Sequence, residues 1–230
     1  NSTFQDNGRS NLYHLGIPFS GAMDNRNYLL ANKLVQNDLN NPVIEFAYQG
    51  PYLKYVGEGI SIAITGNVSF KIKSKNSEID GNCYETYKIN NGDEIDILST
   101  NQSVYGYLSL SGKFDVNYQW GSCSTNTKSN IGANNGKKLQ NEQTIKIEKI
   151  YKDFRKKKVN YLNSKIEKIR VIKGTNFNYF SQTAINNFFN KEFKVSKLSD
   201  RMGMRLEGPQ QIGGHEERPS ARDPHPPSPA

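Results

Sequence analysis

Seven short β-like runs between Val43 and Leu110 constrain this chain more than any other feature. They are Val43–Tyr48, Tyr52–Val56, Ile60–Thr65, Val68–Lys73, Tyr84–Ile89, Glu94–Leu98 and Val104–Leu110. Turn-forming residues separate many of them: Gln49-Gly50-Pro51, Thr65-Gly66-Asn67, Asp80-Gly81-Asn82 and Asn91-Gly92-Asp93. Tyr, Phe, Ile and Val suit a pleated, half-buried surface. Many short strands at regular spacing predict a β-barrel or sandwich. Hydrophobic residues make up only 35% of the 230, but 13 Tyr and 11 Phe leave enough apolar surface for a core.

Ahead of these runs stands a different kind of segment. Thr3-Phe4-Gln5-Asp6-Asn7-Gly8-Arg9 is followed by His14-Leu15-Gly16-Ile17-Pro18-Phe19-Ser20-Gly21-Ala22-Met23-Asp24. Glycines and a proline shape such a loop, and polar side chains fill it. Loops held on a rigid scaffold are where binding and catalysis concentrate. Asp24 suits a helix N-cap, and Tyr28, Leu29, Leu30, Leu34 and Val35 continue at helical spacing, predicting a helix over 25–35.

The net charge of +8 raises the question of nucleic acid. The lysines are scattered, and the one dense run, Arg155-Lys156-Lys157-Lys158, lacks an aromatic platform. It reads as a solvated linker, and neither nucleic acid nor a membrane is expected as a partner. Cys83 and Cys123 match no metal spacing and only three His are present, so no metal is expected. Two cysteines in a chain of this size fit a reducing compartment, the cytoplasm. No apolar run reaches the ~18–20 residues of a membrane span. The chain begins at Asn1 without a methionine, so a few residues are expected to precede it.

Downstream, a long polar stretch opens at Trp120-Gly121-Ser122-Cys123-Ser124-Thr125 and reaches Asn141, long enough to be functional or disordered. Thr144–Ile150 reads as a closing strand. The expected layout is a first domain over 1–152, a charged linker over 153–168 and the start of a second domain over 169–209. In that second part Phe177, Phe180, Ala184, Ile185, Phe188 and Phe189 give an amphipathic helix, with Ser181 as its cap. Six of the nine prolines lie beyond Gly208, where Lys and Asn vanish. Residues 210–230 therefore read as a disordered tail of foreign origin.

Several segments in order resemble the biotin-dependent carboxyltransferase-like family. This family includes the C-type subunit of 5-oxoprolinase, the second allophanate hydrolase subunit and a sporulation-kinase inhibitor antagonist. The resemblance rests on Thr3–Arg9 with Gly16–Asp24, Asn32–Asn37, Glu45 with Gly50-Pro51, Thr65-Gly66, Tyr107–Gly112, Gly121–Thr125 and Ser199–Gly208. Cys123 departs from it, since the family usually has a basic residue there. So does Lys113, which stands where a second glycine is usual. The resemblance implies a mostly β chain with a few helices: two cyclophilin-like β-barrel domains, the second incomplete. It implies a component of an ATP-dependent 5-oxoprolinase, not active alone, with partner subunits of the A and B type and a small-molecule substrate. As a truncated chain it is expected to show little or no turnover. The alternatives are a regulatory protein that binds a kinase-inhibitor-like partner, and the carboxyltransferase half of a urea-type enzyme. ATP would be used by the complex, and this chain would bind no cofactor itself. Biotin enters only in the last alternative, and the chain carries no biotin-attachment motif.

Opening a lactam requires donors for an oxyanion and a carboxylate to manage protons. The expected catalytic residues are Asp6, Arg9, Asp24 and Arg201. Gln5, His14, Ser20, Glu45 and Arg205 are expected around the substrate. Arginines suit a forked contact to a carboxylate or phosphate. Asp6 and Asp24 would orient them or act as acid and base, although Asp24 equally suits a plain helix cap. Glu45, in an apolar strand, needs a buried partner.

Overall fold

The computed structural model describes residues 2–151, 154–159, 168–198, 201 and 203–208. The chain divides into two compact units, Asn1–Asn163 and Ser164–Ala230.

In the first unit, five antiparallel strands form one sheet. These are β1 (Ser2–Gln5), β2 (Val43–Ala47), β4 (Ile60–Thr65), β7 (Thr86–Ile89) and β9 (Tyr105–Leu110), in the order β1-β2-β9-β4-β7. A second sheet is built from β3 (Tyr52–Lys54), β5 (Val68–Ser74), β6 (Ser77–Gly81) and β8 (Glu94–Thr100), in the order β3-β8-β5-β6. A two-stranded ribbon pairs β10 (Gly112–Phe114) with β11 (Ile147–Ile150). Among the described residues of the first unit the strands thus make separate sheets around a common core.

Alternation along the strands explains the layering. Ile60, Ile62 and Ile64 of β4, Ile44 and Phe46 of β2, and Leu108 and Leu110 of β9 point one way. There they share a core with Phe70, Ile72, Ile95 and Ile97 of the second sheet. The other face of the first sheet takes helix α1 (Asn25–Leu34). Ala63 packs on Leu34 and Val35, and Val43 and Tyr107 pack on Tyr28 and Ala31. Strand β4 is therefore buried along its whole length, as a strand covered on both faces must be. Polar residues on the helix side are paired: Thr65 Oγ1 donates to Asn27 O at 2.7 Å and Ser109 Oγ to Asn32 Oδ1 at 2.8 Å.

The basic run expected to be a solvated linker lies along the free edge of β7. Thr86 N donates to Lys157 O at 2.9 Å, and Val159 N to Tyr84 O at 2.9 Å. Lys158 Nζ stands 2.7 Å and Lys156 Nζ 3.5 Å from the buried carboxylate of Glu85. A buried carboxylate needs such partners, and that need draws the lysines in. The first unit accordingly runs past the boundary expected at 152. Of the expected linker, residues 153 and 160–167 lie outside the described residues.

In the second unit, helix α2 (Gln182–Asn190) starts at Ser181, whose Oγ accepts from Ala184 N at 3.2 Å. The amphipathic pattern begins earlier, at Phe177, but that end is a single 3-10 turn, Phe177–Tyr179. A ribbon pairs β12 (Lys194–Val195) with β13 (Leu206–Glu207). The expected tail, 210–230, lies outside the described residues.

Candidate functional site

The polar opening segment is pinned at both ends and free at its tip. Arg9 N donates to Phe19 O at 2.8 Å and Ala22 N to Asp6 O at 2.9 Å, closing the base of the excursion. Gly8 lies against Phe19 with φ +86, where a Cβ would sit 2.8 Å from Phe19 O. At the tip, Tyr13, His14 and Leu15 are exposed. His14 is therefore a solvent-facing side chain.

The inner end is built around Asp6 and Arg9, both buried. Asp6 Oδ1 accepts from Gly8 N (2.9 Å), Ser122 Oγ (2.5 Å) and Ser124 Oγ (2.6 Å), and Oδ2 accepts from Cys123 N (2.7 Å). Burial alone would raise the Asp6 pKa. The four hydrogen bonds outweigh it and hold the carboxyl below its ordinary value. Asp6 is thus ionised, with three of its four hydrogen bonds directed to the 122–124 turn and one to Gly8.

Arg9 is 1% exposed. Nε donates to Gln119 O at 3.1 Å and Nη2 to Ser122 O at 3.2 Å. Nη1 is buried with no hydrogen-bond partner among the described residues. Burial pulls the guanidinium pKa down and Asp6 partly restores it, and an arginine stays charged through the physiological range. Gly132 closes over the group with φ +95; a Cβ there would lie 2.1 Å from Ser124 O and 2.9 Å from Arg9 Nη2. Cys123 is fully buried. Burial first, then Asp6, push its thiol pKa far up, so it is an inert packing group.

The 119–139 stretch is ordered by its own pairing. Gln119 pairs with Ser122 and Asn126 with Ile131 across tight turns. Thr125 N donates to Phe4 O and Leu139 N to Ser2 O, covering the outer edge of β1. Gln5 Nε2 donates to Thr3 Oγ1 at 2.9 Å and to Thr125 O at 3.0 Å. Ser20 Oγ accepts from Asn126 Nδ2 at 3.3 Å.

At the outer end, Asp24 caps α1: Oδ1 accepts from Asn27 N at 3.0 Å and Oδ2 from Asn27 Nδ2 at 2.6 Å. Its own N–H donates to Tyr107 Oη at 2.6 Å. Tyr107 Oη donates to Glu45 Oε2 at 2.9 Å, which also accepts from Met23 N at 2.8 Å. Glu45 thus anchors the loop through Tyr107 and Met23. Tyr107 is buried, which raises its phenol pKa, so the hydroxyl stays protonated.

The structure brings Gln5, Asp6, Arg9 and Ser20 together with the 119–126 loop, and Asp24 with Glu45. Arg201 and Arg205 belong to the second unit. Arg201 is half-buried, and burial pushes its pKa down to about 10. Arg205 is exposed and its carbonyl accepts from Ser196 N at 2.8 Å. Sequence reasoning passed over Gln119, Ser122, Ser124, Tyr107 and Gly132 as site residues. For Ser122 and Ser124 the signal was present in the Gly121–Thr125 segment. Among the described residues, no group of three or more His, Cys, Asp or Glu side chains is placed to hold a metal ion, and no helix is long and apolar enough to cross a membrane.

The chain is 30% identical over 217 residues to urea amidolyase of Saccharomyces cerevisiae, covering 88% of this chain and 11% of that protein. It is 28% identical over 214 residues to the C-type subunit of 5-oxoprolinase from Escherichia coli, covering 90% of this chain and 66% of that protein. Among solved structures, the urea amidolyase of K. lactis superimposes with a TM-score of 0.75 at 27% identity, over 91% of this chain and 13% of that one. TTHA0988 superimposes with a TM-score of 0.74 at 26% identity, over 91% and 75%. The chain thus spans only a small part of yeast urea amidolyase and just under two thirds of the bacterial protein. The family model of the carboxyltransferase domain, subdomain A and B, matches residues 15–224, and the chain belongs to that family.

Proposed function

We propose that this chain is a component of an ATP-dependent 5-oxoprolinase, acting with partner subunits of the A and B type. The observation that carries the reading is its likeness to two proteins named as the C-type subunit of 5-oxoprolinase. They come from E. coli and Haemophilus influenzae, at 28% and 26% identity, each over 90% of this chain. In the net reaction the lactam C–N bond of 5-oxoproline is hydrolysed and ATP is cleaved to ADP. One water opens the ring to glutamate and a second ends in inorganic phosphate.

The residues of the first unit fit a positioning role in that chemistry. An amide under attack gathers negative charge on its oxygen, and fixed donors in a dry site stabilise it best. Arg9 offers a buried, permanently charged donor group that suits holding the substrate in place rather than the oxyanion itself. Asp6 is ionised and fully hydrogen-bonded, so it serves to hold the 122–124 turn against Arg9. Asp24 and Glu45 hold the far end of the same loop. In the second unit, considered by itself, Arg201 is proposed as a catalytic residue and Arg205 as a substrate contact.

A second reading is favoured by the 30% identity to yeast urea amidolyase. In it the chain is part of a carboxyltransferase that moves a carboxyl group from carboxybiotin to an amide nitrogen. One experiment separates the two. The chain is co-expressed with A- and B-type 5-oxoprolinase subunits, and the purified complex is assayed for ATP-dependent glutamate formation from 5-oxoproline. Co-elution with glutamate formation that requires this chain supports the first reading. Its absence, together with transfer of labelled bicarbonate carbon to urea when a biotin-carrier protein and biotin carboxylase are supplied, replaces it with the second. Tight co-elution without either activity points instead to a regulatory binding protein.

A further inference from the structure

Arg9 uses only one edge of its guanidinium. Nε and Nη2 donate to Gln119 O and Ser122 O, the two carbonyls that also pair with each other's N–H groups at the base of the Gln119–Ser122 hairpin. The opposite edge, Nη1 with the second Nη2 hydrogen, is left over, and Nη1 is buried without a partner among the described residues. The nearby Asp6 carboxylate makes its hydrogen bonds to Gly8, Ser122, Ser124 and Cys123 rather than to Arg9. A buried charged donor with no acceptor is costly. A guanidinium edge of this shape matches two oxygens of one carboxylate.

Trp120 and Gly121 form the two-residue tip of that hairpin, with φ +50 and φ +77. Positive φ at both central residues is the type I′ geometry that a two-residue hairpin requires. Trp120 is exposed and follows directly on Gln119, whose carbonyl Arg9 binds.

We propose that the free edge of Arg9 receives the carboxylate of a small amide or lactam substrate. Arg9 keeps its two carbonyls on one edge of the guanidinium and offers the other edge, Nη1, to the ligand. The inference rests on the proposed 5-oxoprolinase reading for the identity of the ligand, and on geometry alone for the presence of the subsite.

Trp120 is the only tryptophan in the chain and neighbours the Gln119 carbonyl held by Arg9, so its emission reports on the site. The test is a fluorescence titration of the full chain with 5-oxoproline, with acetate as the bare carboxylate and with 2-pyrrolidinone as the lactam lacking one. Saturable change with 5-oxoproline and acetate, and none with 2-pyrrolidinone, is expected. Arg9→Lys keeps the charge but loses the fork, and should weaken the 5-oxoproline response by about tenfold or more. Circular dichroism checks that the variant is folded; if it is not, the wild-type titrations alone decide. A response to acetate but not to 5-oxoproline leaves the carboxylate subsite standing and counts against the 5-oxoprolinase reading. No response to any carboxylate, or an equal response in a folded Arg9→Lys chain, overturns the subsite.

Discussion

Replacing Asp6 with Asn changes one atom's chemistry and leaves its volume, so the site's electrostatics can be tested apart from its packing. The carboxylate accepts from four donors, three on Oδ1 and one on Oδ2. An asparagine keeps one oxygen. The least costly orientation keeps the three Oδ1 contacts and turns the amide nitrogen toward Cys123 N. That loses one hydrogen bond to a charged acceptor, about 1.5–3 kcal/mol, and leaves a buried N–H facing another N–H. Arg9 also loses its compensating charge. Breaking a buried ion pair outright costs about 3–5 kcal/mol, and less is expected here because Asp6 and Arg9 interact through space. Asp6→Asn should therefore destabilise the first unit by about 3–4 kcal/mol, a fall in Tm of roughly 10 °C for a domain of this size. Urea unfolding followed by Trp120 emission and by circular dichroism measures it. The pH dependence supplies the sign. The folded Asp6 pKa is depressed, so its stabilisation is complete above the unfolded value of about 4 and is lost as pH falls through the lower folded value. The gap between wild type and variant should be constant near neutrality and narrow on acidification below about pH 4. A variant within about 1 kcal/mol of wild type, or a gap that widens in acid, refutes the reasoning.

Gly132→Ala should destabilise by at least about 2 kcal/mol. Positive φ costs an alanine about 1–2 kcal/mol, and its Cβ would meet Ser124 O at 2.1 Å; thermal unfolding reads the effect. Tyr107→Phe leaves Glu45 and the Asp24 N–H each short of a partner, and should cost about 1–3 kcal/mol by denaturant titration. Asp24→Ala removes the α1 cap at about 1 kcal/mol, read in the same titration. In Glu85→Ala the strap formed by residues 154–159 loses its two lysine contacts. Amide exchange at Thr86 and Val159, which bond across that strap, should then quicken while exchange at Ile62 and Leu108 stays slow.

The sheets were legible because their signal is local. Five of the seven runs contain a strand of the structure in full. The other two stop short only at the polar ends, Val68–Lys73 at Ser74 of β5 and Glu94–Leu98 at Ser99 and Thr100 of β8. Strands with little apolar content went unread. β6 carries Glu78 and Asp80 on an exposed edge, where Lys71 pairs with Glu78. β1 looked like loop because its partners, β2 and the Thr125–Leu139 region, lie far along the chain. The same distance hid half of the site. Asp6 and Arg9 were readable as candidates from their own segment, but their partners at 119–124 are on the order of a hundred residues away. The lysine run misled for a related reason: its partner, Glu85, sits in another part of the fold, and a run of like charges reads as solvated until its counter-charge is known.

That distance also bears on how the site works. The Asp6–Arg9 segment and the 119–132 loop have no stable form apart from each other: each supplies the donors or acceptors that the other would otherwise bury unpaired. Asp6 binds the 122–124 turn from one side, and Arg9 binds its flanking carbonyls from the other. A change at either segment should therefore be felt at both, and the effects of Asp6→Asn and Gly132→Ala should not add. The Arg9 free edge behaves differently, since no described protein group completes it. Of the charged groups at the inner end of the loop, Asp6 is spent on holding the fold and Arg9 is only half spent, which is why the ligand is assigned to Arg9.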